Sequence, residues 1–208
     1  WSEGDVEARL ERDRAICQSV TPDHLREWHD LIASRPHAAG SEGDAQVIAA
    51  IAGAFDTMGL DVEVHRFTAY LSRPVSASLR LMAPSEVELP LTEVALPGST
   101  YSELEEDLLR LGWNAYSGSG AAEGEVVYAN HGRKEDFEKL AELGVDCEGK
   151  IVLARYGGNF RGYKAKFAEE AGAAGLIIFT DPKDSGYGRG LETPEGGWAN
   201  CDQIQRGS

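Results

Sequence analysis

Thirty-five acidic side chains against twenty basic ones give this 208-residue chain a net charge of −15, which excludes a nucleic-acid-binding surface and disfavours an anionic membrane surface. An anionic ligand would be repelled at long range and would need a local cationic anchor. Hydrophobic residues at 42% and charged residues at 26% suit a globular protein of one large or two modest domains, and three widely spaced cysteines, Cys17, Cys147 and Cys201, indicate neither a disulfide framework nor a zinc knuckle.

In chain order, residues 3–19 read as a helix with Val6, Leu10 and Ile16 among charges. The segment is acidic and amphipathic, unlike a signal peptide, so any export signal is expected to have been removed or to precede this sequence. Thr21-Pro22 starts a second helix, with Thr21 as N-cap, Pro22 at N1 and Leu25, Trp28, Leu31 and Ile32 as the apolar stripe. RPHAAGSEGD (35–44) is a loop, and residues 45–58 are strongly helical, with Val47, Ile48, Ile51 and Phe55 on the buried face. Gly59 ends that helix, and residues 60–67 alternate as a strand does. This group of elements needs a sheet to join. No later segment supplies an obvious one, so the chain is expected to be the front part of something larger.

Arg73-Pro74 reads as a boundary. Strands are predicted over 77–82 and 86–94, then a loop-rich stretch with a short charged helix at 102–111, a strand at 125–129 and a helix at 134–143. The organising stretch is GKIVLARYGGNFRGYKAKFAEEAGAAGLIIFTDP (149–182). Ile151–Ala154 and Leu176–Phe179 are short apolar runs that suit buried strands. Between them Gly157, Gly158 and Gly162 break the chain, Tyr163–Ala171 form about two helical turns, and Gly172 is a C′ residue. Ala165, Ala168 and Ala171 give the helix a small face that sits close to a sheet, and the connection is long enough for a right-handed βαβ crossover. The class expected is α/β, mixed α+β in detail, with a central mixed sheet and flanking helices.

No HExxH, GxSxG elbow or P-loop is present, and the glycines at 118, 120 and 124 miss the dinucleotide-binding spacing. His24, His29, His37, His65 and His131 lack partners at metal-ligand spacing and read as surface or packing residues; His37 reads as fixing its loop by a hydrogen bond. Acidic neighbours should raise the pKa of Cys147, which speaks against a nucleophile. No catalytic or metal-ligating residue is assigned. Arg161 stands apart: a guanidinium in a glycine-rich turn, beside Phe160 and Tyr163, is suited to bidentate binding of a carboxylate. From the residues alone a surface arginine or half of an internal ion pair is the commoner reading, because exposed arginines far outnumber ligand-binding ones, and Lys164 and Lys166 read as a solvated helix face.

Several segments together are recognisable: EGKIVLARYG (148–157), FRGYK (160–164), AGAAGLIIFTDP (171–182), GGW (196–198) and QRGS (205–208), with RPHAAGSE (35–42) and MGLDVEV (58–64) upstream. In order and spacing the chain, from about Leu25 onward, resembles the glutamate carboxypeptidase II-like zinc metallopeptidases. The resemblance implies that residues 1–72 begin the zinc-peptidase α/β domain with helices and a strand. Residues 73–208 would be most of the inserted protease-associated, or apical, domain, which helps to shape the substrate pocket.

It further implies two zinc ions in the full-length parent. Their ligand set begins with an HxD motif that this sequence lacks, so no cofactor is expected in this chain and its own enzymatic activity stays open. Arg161 matches the family arginine that holds the α-carboxylate of a C-terminal residue, an arginine not kept in the non-catalytic transferrin-receptor-like branch. Asn159 and Ser208 fall at neighbouring substrate-pocket positions; Ser208 stands where glutamate-specific members have asparagine. Gly158 and Asn159 replace a lysine and an apolar residue of those members, so a strict preference for acidic side chains does not carry over.

The expected function is therefore a fragment of a secreted or periplasmic zinc exopeptidase of carboxypeptidase type. Its partners would be a peptide with a free C-terminal carboxylate and the rest of the peptidase domain; the resemblance leaves room for a homodimer of the parent. The alternatives are a transferrin-receptor-like binding module and a protein-interaction protease-associated domain.

Overall fold

The computed structural model describes residues 3–94 and 111–205; the helix expected at 102–111 falls almost wholly outside them. The described residues form two compact units, 3–69 and 70–94 with 111–205.

The first unit is helical. α1 (Glu3–Ser19), α2 (Pro22–Ile32) and α3 (Glu42–Thr57) occupy the expected places. Thr21 Oγ1 accepts from the His24 N–H at 3.3 Å, and Pro22 needs no partner at the first helical position. α3 begins three residues earlier than its hydrophobic pattern predicts, because Ser41 Oγ accepts the Asp44 N–H at 3.2 Å while Asp44 in turn accepts the Gly40 N–H at 2.9 Å. The loop before it folds back on the helix. The His37 ring pairs through Nδ1 with the Arg35 carbonyl at 2.9 Å, and a Cβ at Gly43 would meet the Pro36 carbonyl oxygen at 2.1 Å. Val6, Leu10, Ile16, Leu25, Ile48 and Phe55 are all exposed. The strand expected at 60–67 is unpaired chain; alternation fits a strand only where a neighbour accepts its hydrogen bonds, and Phe67 is left 85% exposed.

The second unit holds two sheets. β1 (Leu79–Leu81) and β2 (Val87–Leu89) form an antiparallel ribbon with Leu79 opposite Leu89. β3 (Val126–Tyr128), β4 (Ile151–Arg155) and β5 (Gly175–Phe179) form a parallel sheet in that order. The fold is α/β as expected, but the two strand directions are divided between separate sheets instead of sharing one. β3 leads through α4 (Lys134–Glu142) to β4, and β4 through α5 (Arg161–Glu170) to β5; α6 (Pro182–Ser185) follows. Two successive crossovers of the same hand in the same direction put both helices on one face. Val127, Val152 and Leu176 lie in register across the three strands. That row meets Phe137 and Leu140 of α4, Ala168 of α5 and Ala171 just beyond it, with Cys147 completing the core.

Two expectations change in detail. Val152 and Ala154 are fully buried, but Ile151 and Leu153 are only half-buried because the helices cover one face of the sheet, and all of β5 is half-buried because it is an edge strand. On α5 the inward stripe is Lys164, Ala168 and Ala171, and Ala165 is exposed. A spacing of three drifts around a helix, whereas i, i+4, i+7 stays on one face. Gly172, with φ +76°, follows the C-cap Ala171 as expected.

Candidate functional site

The carboxyl ends of parallel strands are where an open α/β sheet binds ligands. Two loops meet there: residues 129–133 after β3 and residues 156–160 after β4. The second is bent by Gly157 and Gly158, both left-handed at φ +82° and +78°. At Gly158 a side chain is excluded twice over, by its φ and because a Cβ would stand 2.8 Å from both the Arg133 Nε and the His131 Cβ. A side chain larger than hydrogen therefore has no room at this position.

Lys164 holds the two loops together. It is 0% exposed, and its ammonium donates to the His131 carbonyl, to the Gly157 carbonyl at 2.7 Å and to Asn159 Oδ1 at 2.7 Å. Asn159 Nδ2 donates to the Gly132 carbonyl at 3.1 Å, and the His131 ring pairs through Nδ1 with the Tyr156 carbonyl at 3.1 Å. Burial lowers the Lys164 pKa from its ordinary value; Arg133 lowers it further, and Asp136 partly opposes. The expected solvated face is thus corrected at Lys164. It holds at Lys166, which is exposed and paired with Glu170. The signal for Lys164 was its place in the i, i+4, i+7 row with Ala168 and Ala171.

Arg161 is the first residue of α5 and half-buried. Its guanidinium carbon lies 5.9 Å from the Tyr156 ring centre and 5.8 Å from that of Phe160, close enough for cation–π attraction. Its Nε is buried without a hydrogen-bond partner, and among the described residues no carboxylate pairs with it. Arg155, at the other end of the same turn, shows the contrast: Asp181 at 3.2 Å and Asp184 at 2.5 Å form ion pairs with it, and the hydrogen bond it donates to Asp184 raises its pKa. The start of α5 is also cationic. It has no side-chain cap and no acid in its first turn, whereas α2, α3 and α4 all carry acid there. Two cations at the positive end of a helix dipole repel it unless an anion is present.

Arg161 and Asn159 are therefore on one turn, with the Asn159 carboxamide engaged at both ends by Lys164 and Gly132. Ser208 lies outside the described residues. Cys147 is buried, and burial, followed by Asp146, raises its thiol pKa against the pull of Lys150. Cys17 and Cys201 are exposed free thiols. Among the described residues no three His, Cys, Asp or Glu side chains cluster as metal ligands, so these residues do not fit a zinc centre. No helix among them is long and apolar enough to cross a membrane.

Residues 122–204 match the PA domain family. A protein named "Probable glutamate carboxypeptidase" from Arthroderma benhamiae is 42% identical over 156 residues, which is 72% of this chain and 21% of that protein. The "Glutamate carboxypeptidase 2 homolog" of Caenorhabditis elegans is 34% identical over 205 residues, 93% of this chain and 26% of that one.

The chain belongs to the glutamate carboxypeptidase II-like peptidase family.

"Aminopeptidase NAALADL1" of Rattus norvegicus is also similar, 31% identical over 94% of this chain and 28% of its own length. This family member thus spans about a quarter of the length of the curated relatives it matches. Among solved structures, the aminopeptidase from Aneurinibacillus sp. strain AM-1 shares the fold with a TM-score of 0.51 at 18% identity, over 91% of this chain and 38% of that one.

Proposed function

We propose that this chain is the N-terminal part of a secreted or periplasmic zinc exopeptidase, with residues 1–72 opening the peptidase domain and residues 73–208 forming most of the apical domain. In this reading Arg161 anchors the C-terminal carboxylate of a peptide substrate. The observation that carries it is the state of Arg161: half-buried, within cation–π distance of two aromatic rings, with an unpartnered Nε and no carboxylate partner among the described residues. A guanidinium offers a planar pair of N–H donors to a carboxylate. The rings of Tyr156 and Phe160 thin the water around that pair and strengthen it. The uncapped first turn of α5 adds N–H groups and a favourable dipole.

Two zinc ions in the full-length protein would polarise the peptide carbonyl and activate water, held by residues outside the described part of this chain. The part assigned to this chain is binding and orientation. It fixes the last residue of the substrate so that the preceding peptide bond faces the remainder of the peptidase domain. With no side chain at position 158, nothing on this turn demands an acidic substrate residue.

The similarity to an aminopeptidase supports a second reading, in which the substrate is held by its N-terminus. Blocking groups separate the two. For the full-length protein, peptides acetylated at the N-terminus with a free C-terminus should be cleaved, and C-terminally amidated ones should be poor substrates. Cleavage of amidated peptides with rejection of acetylated ones would establish the aminopeptidase reading instead.

A further inference from the structure

We propose that Lys164 is a positioning residue for the Arg161 anchor: its ammonium locks the loop after β3 to the glycine turn after β4 and thereby fixes where the guanidinium stands. The inference rests on the carboxylate-anchoring reading of Arg161.

Three features carry it. First, the three acceptors of Lys164 lie on two loops, at sequence separations of 33, 7 and 5 residues, so the ammonium makes a tie that no local interaction supplies. Asn159 extends that tie to Gly132. Second, the tied turn has little rigidity of its own. Gly157 and Gly158 occupy left-handed backbone without side chains to hold them, and Phe160 provides no side-chain cap for α5. Third, Arg161 and Lys164 lie one turn apart on α5, so a clamp at Lys164 holds the helix start that carries Arg161.

The chemistry requires an ammonium. Three converging oxygens need three donors from one small atom, whereas a guanidinium presents its donors in a plane. Burying a charge in this way gives little net stability, because desolvation offsets the attraction. The gain is geometric, and geometry matters because a displacement of about 1 Å at a positioning group can lower a rate by as much as about a hundredfold.

The test uses the full-length peptidase and the ratio of kcat/KM for free-acid to amidated peptide. Lys164→Met, Arg161→Ala and the double variant are compared with the parent. Lys164→Met should lower the ratio about tenfold or more through a raised KM for the free acid, with kcat nearly unchanged and amidated peptides unaffected. In the Arg161→Ala background it should lower the ratio no further. If Lys164→Met keeps the parental ratio while Arg161→Ala collapses it, Arg161 remains the anchor and the positioning role is overturned. If Arg161→Ala also leaves the ratio unchanged, the anchoring reading fails and this proposal with it. Should Lys164→Met not fold, Lys164→Arg keeps the charge but not the three-donor point. It should shift the ratio in the same direction, and an unchanged ratio overturns the proposal.

Discussion

At the scale of single residues, environment separates groups that look alike in the sequence. Arg155 and Arg161 flank one turn and each has a buried Nε without a hydrogen bond, yet Asp181 and Asp184 form ion pairs with Arg155 while among the described residues no carboxylate pairs with Arg161. Lys164 and Lys166 are two positions apart, yet one is fully buried and the other exposed. The same contrast applies to the thiols. Cys147 is buried with its pKa raised above the ordinary 9.0, while Cys17 and Cys201 are exposed. In the native chain, a thiol reagent near pH 8 should modify Cys17 and Cys201 quickly and Cys147 only after denaturant is added. Counting modified thiols by mass checks this, and rapid modification of all three would contradict the burial. The sign for stability follows. The unfolded thiol ionises first as pH rises, so the contribution of Cys147 is present below about pH 9 and declines above it.

At the scale of elements, most of the fold was legible because its signals are local. Thr21-Pro22 marks the start of α2, and the paired apolar runs around a glycine turn mark the βαβ unit. Ser41 and Asp44 also mark the start of α3, but the hydrophobic pattern, which begins later, obscured them. The strand at 60–67 failed for a different reason: alternation describes which face is apolar, and pairing depends on a neighbour. The row with Ala168 and Ala171 marks Lys164 as inward-facing, but its full burial depends on two loops closing over it from 33 and 7 residues away, which that local pattern does not report. The corrected face of α5 gives a direct test. Ala168→Leu should cost about 1–3 kcal/mol by overpacking the row against Val152, whereas Ala165→Leu, on the exposed side, should stay within about 0.5 kcal/mol. Denaturant titration of both variants checks it, and equal costs would mean that the inward stripe is misassigned.

At the scale of the whole molecule, the two units differ in how their apolar residues are used. Around β3, β4 and β5 they close a core. In α2 and α3 no residue is buried. The family relationship gives a reason: the chain corresponds to about a quarter of its relatives, and we propose that the rest of the peptidase domain covers those faces and supplies the metal centre. What the chain itself would bring is a carboxylate anchor on a rigid scaffold, placed where an otherwise acidic molecule presents a local cation. The most direct measurement compares the full-length protein with its Arg161→Ala variant on matched free-acid and amidated peptides. The alanine variant should lose about 1.5–3 kcal/mol of transition-state stabilisation on the free acid, mostly as a raised KM. Amidated peptides should be nearly unaffected, and Arg161→Lys should recover only part of the loss. An unchanged preference for the free acid in the alanine variant would contradict the assignment of Arg161 as the anchor.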